Sequence, residues 1–287
     1  MSNLDDLKKQ LNSGKGGITN LQVSNASSFK VSTNLINKSE NLDSIKSKMQ
    51  TTSVDYDSLR KSIATNIIET RKNTNFELAF LLDRSGSCAR YVSTTIKGYN
   101  DFIEKQKLTK RNELVSTILF DDRITPYQFR TPIELSEELD YCSGGRTALY
   151  DTVVYAVDSI MQAQETTEPK IDHTLITIMT DGYNCAGNSD MYEARNSITA
   201  AINKGYHFIL LGALQDENEL IEYGRELGIP EKNISLYLPE YTESNFKAIE
   251  VALDSLETKF ELGDEWKKHV VKRIGTASNQ YSLPNKG

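Results

Sequence analysis

Between Phe76 and Lys259 the chain alternates short apolar runs with longer amphipathic stretches, and this alternation most constrains the fold. A short apolar run that ends in polar residues and glycine is the mark of a buried strand. FELAFLLD (Phe76–Asp83) is the first, followed by a predicted helix from about Tyr91 to Gln106. ELVSTILFDD and ITPYQFR read as two strands joined by the turn at Asp121, Asp122 and Arg123. So tight a link predicts a hairpin, hence one antiparallel strand at a sheet edge. Further helices are predicted near Thr147–Gln164, Met191–Lys204, Glu217–Leu227 and Glu243–Lys259, with strands at His173–Met179, Tyr206–Gly212 and Ile234–Leu238. Such alternation gives an α/β, Rossmann-like architecture: a mostly parallel sheet of about six strands, one of them antiparallel, with helices on both faces. No internal repeat is evident.

The length of 287 residues, with 38% hydrophobic and 25% charged, suits one such domain of about 200 residues plus appendages. Residues 1–52, rich in Ser, Asn, Thr and Lys, read as a polar, mobile arm, with short amphipathic stretches at Leu4, Leu7, Leu11 and at Leu42, Ile45, Met49. Residues 53–74 form an amphipathic helix or linker. Leu59, Ile63 and Ile67 recur there every four residues, and Asp55 and Asp57 sit where the helix dipole favours them. The α/β domain spans 75–260, and 261–287 is a polar tail with one short helix around Trp266–Arg273.

The longest apolar run, Ile171–Met179, is broken by Asp172, His173 and Thr177 and falls far short of the roughly 20 residues of a bilayer span. The first residues lack the apolar stretch of a secretory signal. Three cysteines, an odd number, make no disulfide framework, so a reducing, cytoplasmic setting is expected. The net charge of −7 is uneven: residues 1–73 hold 11 Lys/Arg against 7 Asp/Glu, and the remainder is correspondingly acidic. An acidic main domain argues against nucleic acid, and only the weakly basic arm suits phosphate.

In an open parallel sheet, ligands bind outside the carboxyl ends of the strands where the strand order reverses. Three segments place small oxygen-bearing side chains there: Asp83-Arg84-Ser85-Gly86-Ser87, the loop Ser143-Gly144-Gly145-Arg146-Thr147, and Asp181-Gly182. Two carboxylates and three hydroxyls from three loops suit one hard divalent cation, Mg²⁺ or alternatively Mn²⁺ or Ca²⁺. Two formal negative charges balance a 2+ ion, while hydroxyls add coordination without over-neutralising it. A coordination place left free makes the site a receptor.

DRSGS, GGRTALYD and MTDGYN resemble the three parts of the metal-ion-dependent adhesion site of von Willebrand factor A domains. ILLGALQDENELIEYGRELGIP is similar to bacterial and phage members of that superfamily. All five motif positions are filled, by Asp83, Ser85, Ser87, Thr147 and Asp181, and the resemblance covers about residues 75–260. It implies that Ser85, Ser87 and Thr147 touch the metal directly, and that Asp83 and Asp181 do so directly or through water. It further implies a Mg²⁺-dependent protein–protein interaction module in a bacterial or phage cell, whose protein partner completes the octahedron with an Asp or Glu carboxylate.

Arg84 and Arg146 flank these loops and are expected either to meet an acidic partner or to lie solvated; Tyr183 and Asn184 would frame a ligand. Cys88, Cys142 and Cys185 should all lie on the same rim. They read as a thiol cluster for a soft metal, as a redox-sensitive pair or, for Cys88, as simple packing. His173 is expected as a satisfied core or edge residue, and His207 and His269 have no companion pattern. There is no Walker loop, no GxGxxG after the first strand, no GxSxG elbow, and Thr94 stands where a Cys-x5-Arg loop from Cys88 needs arginine. The chain is therefore not expected to be an enzyme. The alternatives are a metal-dependent phosphoester hydrolase, in which Asp83 or Asp181 would double as general base, and a structural component of a larger particle assembled through the arm. The oligomeric state is left open.

Overall fold

The computed structural model describes residues 74–109, 111–273 and 281–282. The predicted arm and the helix near Ser53–Arg71 lie outside them. Strands β1 (Asn75–Asp83), β2 (Asn112–Phe120), β3 (Ile124–Pro132), β4 (His173–Thr180), β5 (His207–Gly212) and β6 (Ile234–Leu236) form one six-stranded sheet. Its order is β3-β2-β1-β4-β5-β6. All neighbours are parallel except β2 and β3, the expected hairpin at one edge. The chain first builds outward from β1 through β2 to β3, then returns to the other side of β1 with β4. The order therefore reverses between β1 and β4, which opens a crevice at their carboxyl ends.

Helices α1 (Val92–Thr109), α2 (Leu149–Thr166), α3 (Met191–Asn203), α4 (Glu217–Glu226) and α5 (Thr242–Lys259) cover both faces. The pleat of β1 divides the core: Phe76, Leu78, Phe80 and Leu82 pack with α1 and α5, whereas Ala79 and Leu81 pack with α2, α3 and α4. Helix α1 buries Tyr99, Phe102, Ile103 and Gln106, the spacing of one helical face. Phe80 is held edge-on by Tyr99 and Phe102, both with ring centroids at 5.4 Å. Each such apolar side chain contributes about 1.5–3 kcal/mol by leaving water, and β1 is buried at every position but its first.

Element ends follow local chemistry. A reciprocal capping box starts α3: Asp190 accepts from the Glu193 amide and Glu193 accepts from the Asp190 amide, both at 2.9 Å. Asp216 caps α4. The predicted helix from Tyr91 is preceded by a 3-10 turn over Gly86–Tyr91, so that α1 itself starts at Val92. The tail differs more. The helix expected around Trp266–Arg273 is a 3-10 turn, Glu265–His269, and Lys272–Arg273 is a short strand, β7, paired with β8 (Tyr281–Ser282). Trp266, Val270 and Val271 are all buried, and the Val271 carbonyl accepts from the Leu238 amide, which draws the chain out of helical geometry.

The opposite, amino-terminal end of the sheet holds buried charge. Arg111 donates to Glu257 at 2.8 and 3.1 Å and to Asp254, and stands 3.8 Å from Glu113. Neither Glu113 carboxylate oxygen has a hydrogen-bond partner among the described residues, and burial pushes its pKa up to about 8 against the attraction of Arg111. Glu77 is gripped by Arg130 at 3.1 Å and by Gln164 at 2.8 Å. His173, expected to be satisfied, packs between the rings of Phe76 and Phe260, but its Nε2 is buried without a hydrogen-bond partner among the described residues. Burial lowers its pKa, so the neutral imidazole is the favoured form.

Candidate metal centre

The crevice between β1 and β4 is lined by the end of each strand. Asp83, the last residue of β1, is 5% exposed, and both of its carboxylate oxygens are held. Oδ1 accepts from the Ser85 amide at 2.8 Å and Oδ2 accepts from the Thr180 hydroxyl at 2.6 Å. Asp181 follows β4 directly, and its Oδ1 accepts from the Ser87 hydroxyl at 2.7 Å. The Ser85 and Ser87 hydroxyls stand 3.1 Å apart. Thr147 is buried, and a Cβ added at Gly182 would lie 3.9 Å from its hydroxyl, so Thr147 flanks the Asp181–Gly182 turn. The alternation of Asp-x-Ser-x-Ser thus aims its oxygens at the turn after β4.

Backbone bonds tie the three loops together. Gly86 N donates to Gly145 O at 3.1 Å and Gly144 N to Arg84 O at 2.8 Å. The Thr147 carbonyl accepts from Cys185 N and Ala186 N at 2.9 and 3.0 Å. Gly145 has φ +74°, and a Cβ there would stand 2.4 Å from Asp122, so the approach of this loop to the β2–β3 turn requires glycine.

One anchor was not visible in the sequence. Asp151, in the first turn of α2, accepts from the Asn188 amide at 2.9 and 3.0 Å and from the Ser189 amide at 2.5 Å. Burial opposes its charge, but these backbone donors outweigh it and hold the carboxyl below its ordinary pKa. Gly187, at φ +93°, lets the loop close on this carboxylate, since a Cβ would lie 2.7 Å from Oδ2. Asp151→Ala is expected to cost on the order of 2 kcal/mol of stability. It should also strip hydrogen-exchange protection from the Asn188 and Ser189 amides, measured by NMR; unchanged protection would refute the anchoring role.

The electrostatics follow from crowding. Burial raises the Asp83 pKa, the Thr180 and Ser85 hydrogen bonds oppose the rise, and the Asp181 charge adds to it. Asp83, Cys88 and Asp181 each place one ligand-type atom within 4.8 Å of the others. Among the described residues no other set of three His, Cys, Asp or Glu side chains comes so close, which corrects the expectation of a three-thiol cluster. Cys88 is buried, Cys142 and Cys185 are exposed, and all three are free thiols. Burial, then the two carboxylates, raise the Cys88 pKa far above its ordinary value. Cys185 instead accepts the Thr147 amide at 3.4 Å.

Arg84, expected to meet an acidic partner or to lie solvated, is partly buried. It pairs with Asp121 at 3.1 Å and donates to Thr125 at 2.9 Å, because the β2–β3 turn folds over the first loop. Arg146 is exposed and has no ion pair among the described residues. Tyr183 is 45% exposed, stands edge-on to Tyr223 with centroids at 5.0 Å, and donates to Glu219 at 3.2 Å. Asn184 braces the rim from inside, its Oδ1 accepting the Tyr150 amide at 3.0 Å. Thr180 was also missed; a threonine ending an apolar strand gives little sign that it will bond a carboxylate 97 residues away.

No family model matches the chain, and no curated protein matches it. Among solved structures, it is similar to proximal thread matrix protein 1 from the mussel byssus, at 14% identity and a TM-score of 0.47, over 63% of this chain and 48% of that one. A second structure of that protein has a zinc-occupied MIDAS motif. The ArnB paralog VWA2 from Sulfolobus acidocaldarius aligns at 12% identity and 0.44 over 61% and 45% of the two chains. Manganese-loaded TRAP protein from Plasmodium vivax aligns at 18% and 0.43 over 60% and 72%. The chain spans about half the length of the first two proteins. All these scores lie below 0.5, and the fold is read from its own strand order and register.

Proposed function

We propose that this chain is a von Willebrand factor A-type interaction module that holds one divalent cation and binds a protein partner through a carboxylate. The observation that carries the reading is the meeting of the β1 and β4 ends: Ser87 bonded to Asp181, with the buried Asp83 carboxylate in the same crevice. Two carboxylates this close, one nearly shielded from water, repel each other and are poorly solvated. A dication relieves both costs, so the donor set fits a metal. Asp83, Ser85, Ser87, Thr147 and Asp181 would hold it, and bound there it would supply a Lewis-acidic centre for an incoming carboxylate. Oxygen donors favour Mg²⁺, with Mn²⁺ and Ca²⁺ as substitutes. Cys88 is the thiol grouped with the two carboxylates, and its raised pKa favours the neutral form.

A binding role is preferred to hydrolysis because no histidine adjoins the carboxylates; His173 starts β4, at the far end of the sheet. We further place the protein inside a bacterial or phage cell, on the resemblance of ILLGALQDENELIEYGRELGIP to bacterial and phage members; its three free thiols are in keeping with a reducing setting. Among the described residues no helix is long and apolar enough to cross a membrane.

The test is calorimetric titration of Mg²⁺ and Mn²⁺ into wild type and Asp83→Ala, followed by partner capture from the native host in Mg²⁺ with EDTA elution. Wild type should bind one ion per chain and release its partner on chelation. Partner binding that survives both EDTA and Asp83→Ala would defeat the proposal.

A further inference from the structure

The strand order lays out the rim of this crevice along a line. On the β2 side lie the β2–β3 turn and the Arg146 loop, joined by the Ala148 amide donating to Asp121 O at 2.7 Å. The β1 and β4 ends, with the candidate ligands, stand in the middle. Beyond them, toward β5, come Tyr183 and the start of α4. Charge is distributed unequally along this line. On the β2 side Arg84 is cancelled by Asp121, while Arg123 and Arg146 are exposed beside the exposed Asp122, which lies against Gly145. On the β5 side, Asp216, Glu217, Glu219 and Glu222 follow one another, with no Lys or Arg in residues 213–223. Glu219 and Glu222 are exposed, and Glu219 is tied to the rim through the Tyr183 hydroxyl.

We propose that the partner segment is dipolar: an acidic side chain set against Arg146 on one flank of the metal-binding carboxylate, and a Lys or Arg set against Glu219 and Glu222 on the other. Tyr183 is the shelf between. Its half-exposed ring is fixed by Tyr223 and Glu219, so the segment meets a preformed aromatic face over which a Lys or Arg stem can lie. A uniformly acidic segment would gain at Arg146 and be repelled at α4. Polarity of this kind acts more on choice and orientation of partner than on total affinity. The proposal rests on the metal–carboxylate reading above and gives that reading a direction.

The experiment uses the full chain and a library of short displayed peptides with a fixed central aspartate, bound in Mg²⁺ and eluted with EDTA. Recovered peptides should carry Asp or Glu on one flank and Lys or Arg on the other. A matched synthetic peptide should bind about fivefold more tightly than its charge-reversed form at low salt, with the difference shrinking as salt rises, as for a few exposed ion pairs. Arg146→Glu should invert the preference on the acidic flank alone, and the double change Glu219→Lys, Glu222→Lys that on the basic flank alone. Circular dichroism of these surface variants should match wild type. Recovered peptides without charge asymmetry, or an asymmetry that neither variant alters, would overturn the dipolar partner while leaving the metal site standing. Failure of any peptide to depend on Mg²⁺ would instead overturn the metal–carboxylate reading, and the inference with it.

Discussion

Asp83→Asn is expected to remove the thermal stabilisation that Mg²⁺ confers and, at the same time, to raise the melting temperature of the metal-free protein. Both effects have one cause. The Asp83 carboxylate is nearly buried, shares its crevice with Asp181, and has its pKa raised first by burial. Asparagine keeps the shape and can still accept the Ser85 amide, while the unfavourable charge disappears. The sign follows from linkage: a carboxyl whose folded pKa is raised contributes stability below its unfolded pKa and loses it as pH rises through the folded value. Metal binding reverses the preference, since it requires the ionised form. With metal at a hundred times its dissociation constant, wild type should gain about 2.7 kcal/mol, a shift of roughly 5–10 °C for a domain of this size. Scanning fluorimetry in EDTA and in Mg²⁺ makes the comparison. An Asp83→Asn protein that keeps the full Mg²⁺ shift would remove Asp83 from the site.

Glu113→Gln should stabilise the protein above neutral pH by on the order of 2 kcal/mol, seen as a rise in melting temperature of about 4–8 °C. Glu113 is fully buried, its oxygens lack hydrogen bonds among the described residues, and Arg111 at 3.8 Å is already shared with Glu257 and Asp254. Its pKa is pushed up to about 8 from an unfolded value of 4.5. The contribution to stability is therefore complete below pH 4.5, falls progressively above it, and has been lost once pH exceeds about 8. The glutamine side chain has nothing to ionise, so the variant's advantage should be absent at pH 4 and grow toward pH 8. The neutral amide gives up some attraction to Arg111, which keeps the expected gain modest. A variant whose melting temperature stays below wild type across this range would show that the ion pair outweighs the burial.

The two sites differ in how far the chain announces them. Asp83 and Asp181 each close an apolar run of the right length, and strand–helix alternation alone brings such ends to one side of a parallel sheet. The β2–β3 hairpin was equally legible, because only three residues separate its strands. Contacts made by close approach across long separations were not. Thr180 reaches Asp83 across 97 residues, Asp151 reaches the Asn188 amide across 37, and Arg111 meets Glu257 across 146. No periodicity encodes those meetings. Arg84 looked available because its neighbours in sequence are small and polar, yet the folded turn delivers Asp121 to it. The tail misled for a related reason: Trp266, Val270 and Val271 have helix-compatible spacing, but burial of all three selects an extended path.

The outer strand β3 has a consequence for how the molecule behaves in company. It carries Pro126 and Pro132, and it kinks at Arg130, whose φ of 48° accompanies a shifted register against β2 and an amide turned onto the Ser116 hydroxyl. Missing donors and a bent ladder make a poor template for another chain's backbone. In a crowded solution this flank should therefore resist growth into stacked ribbons, and strangers have little to grasp there.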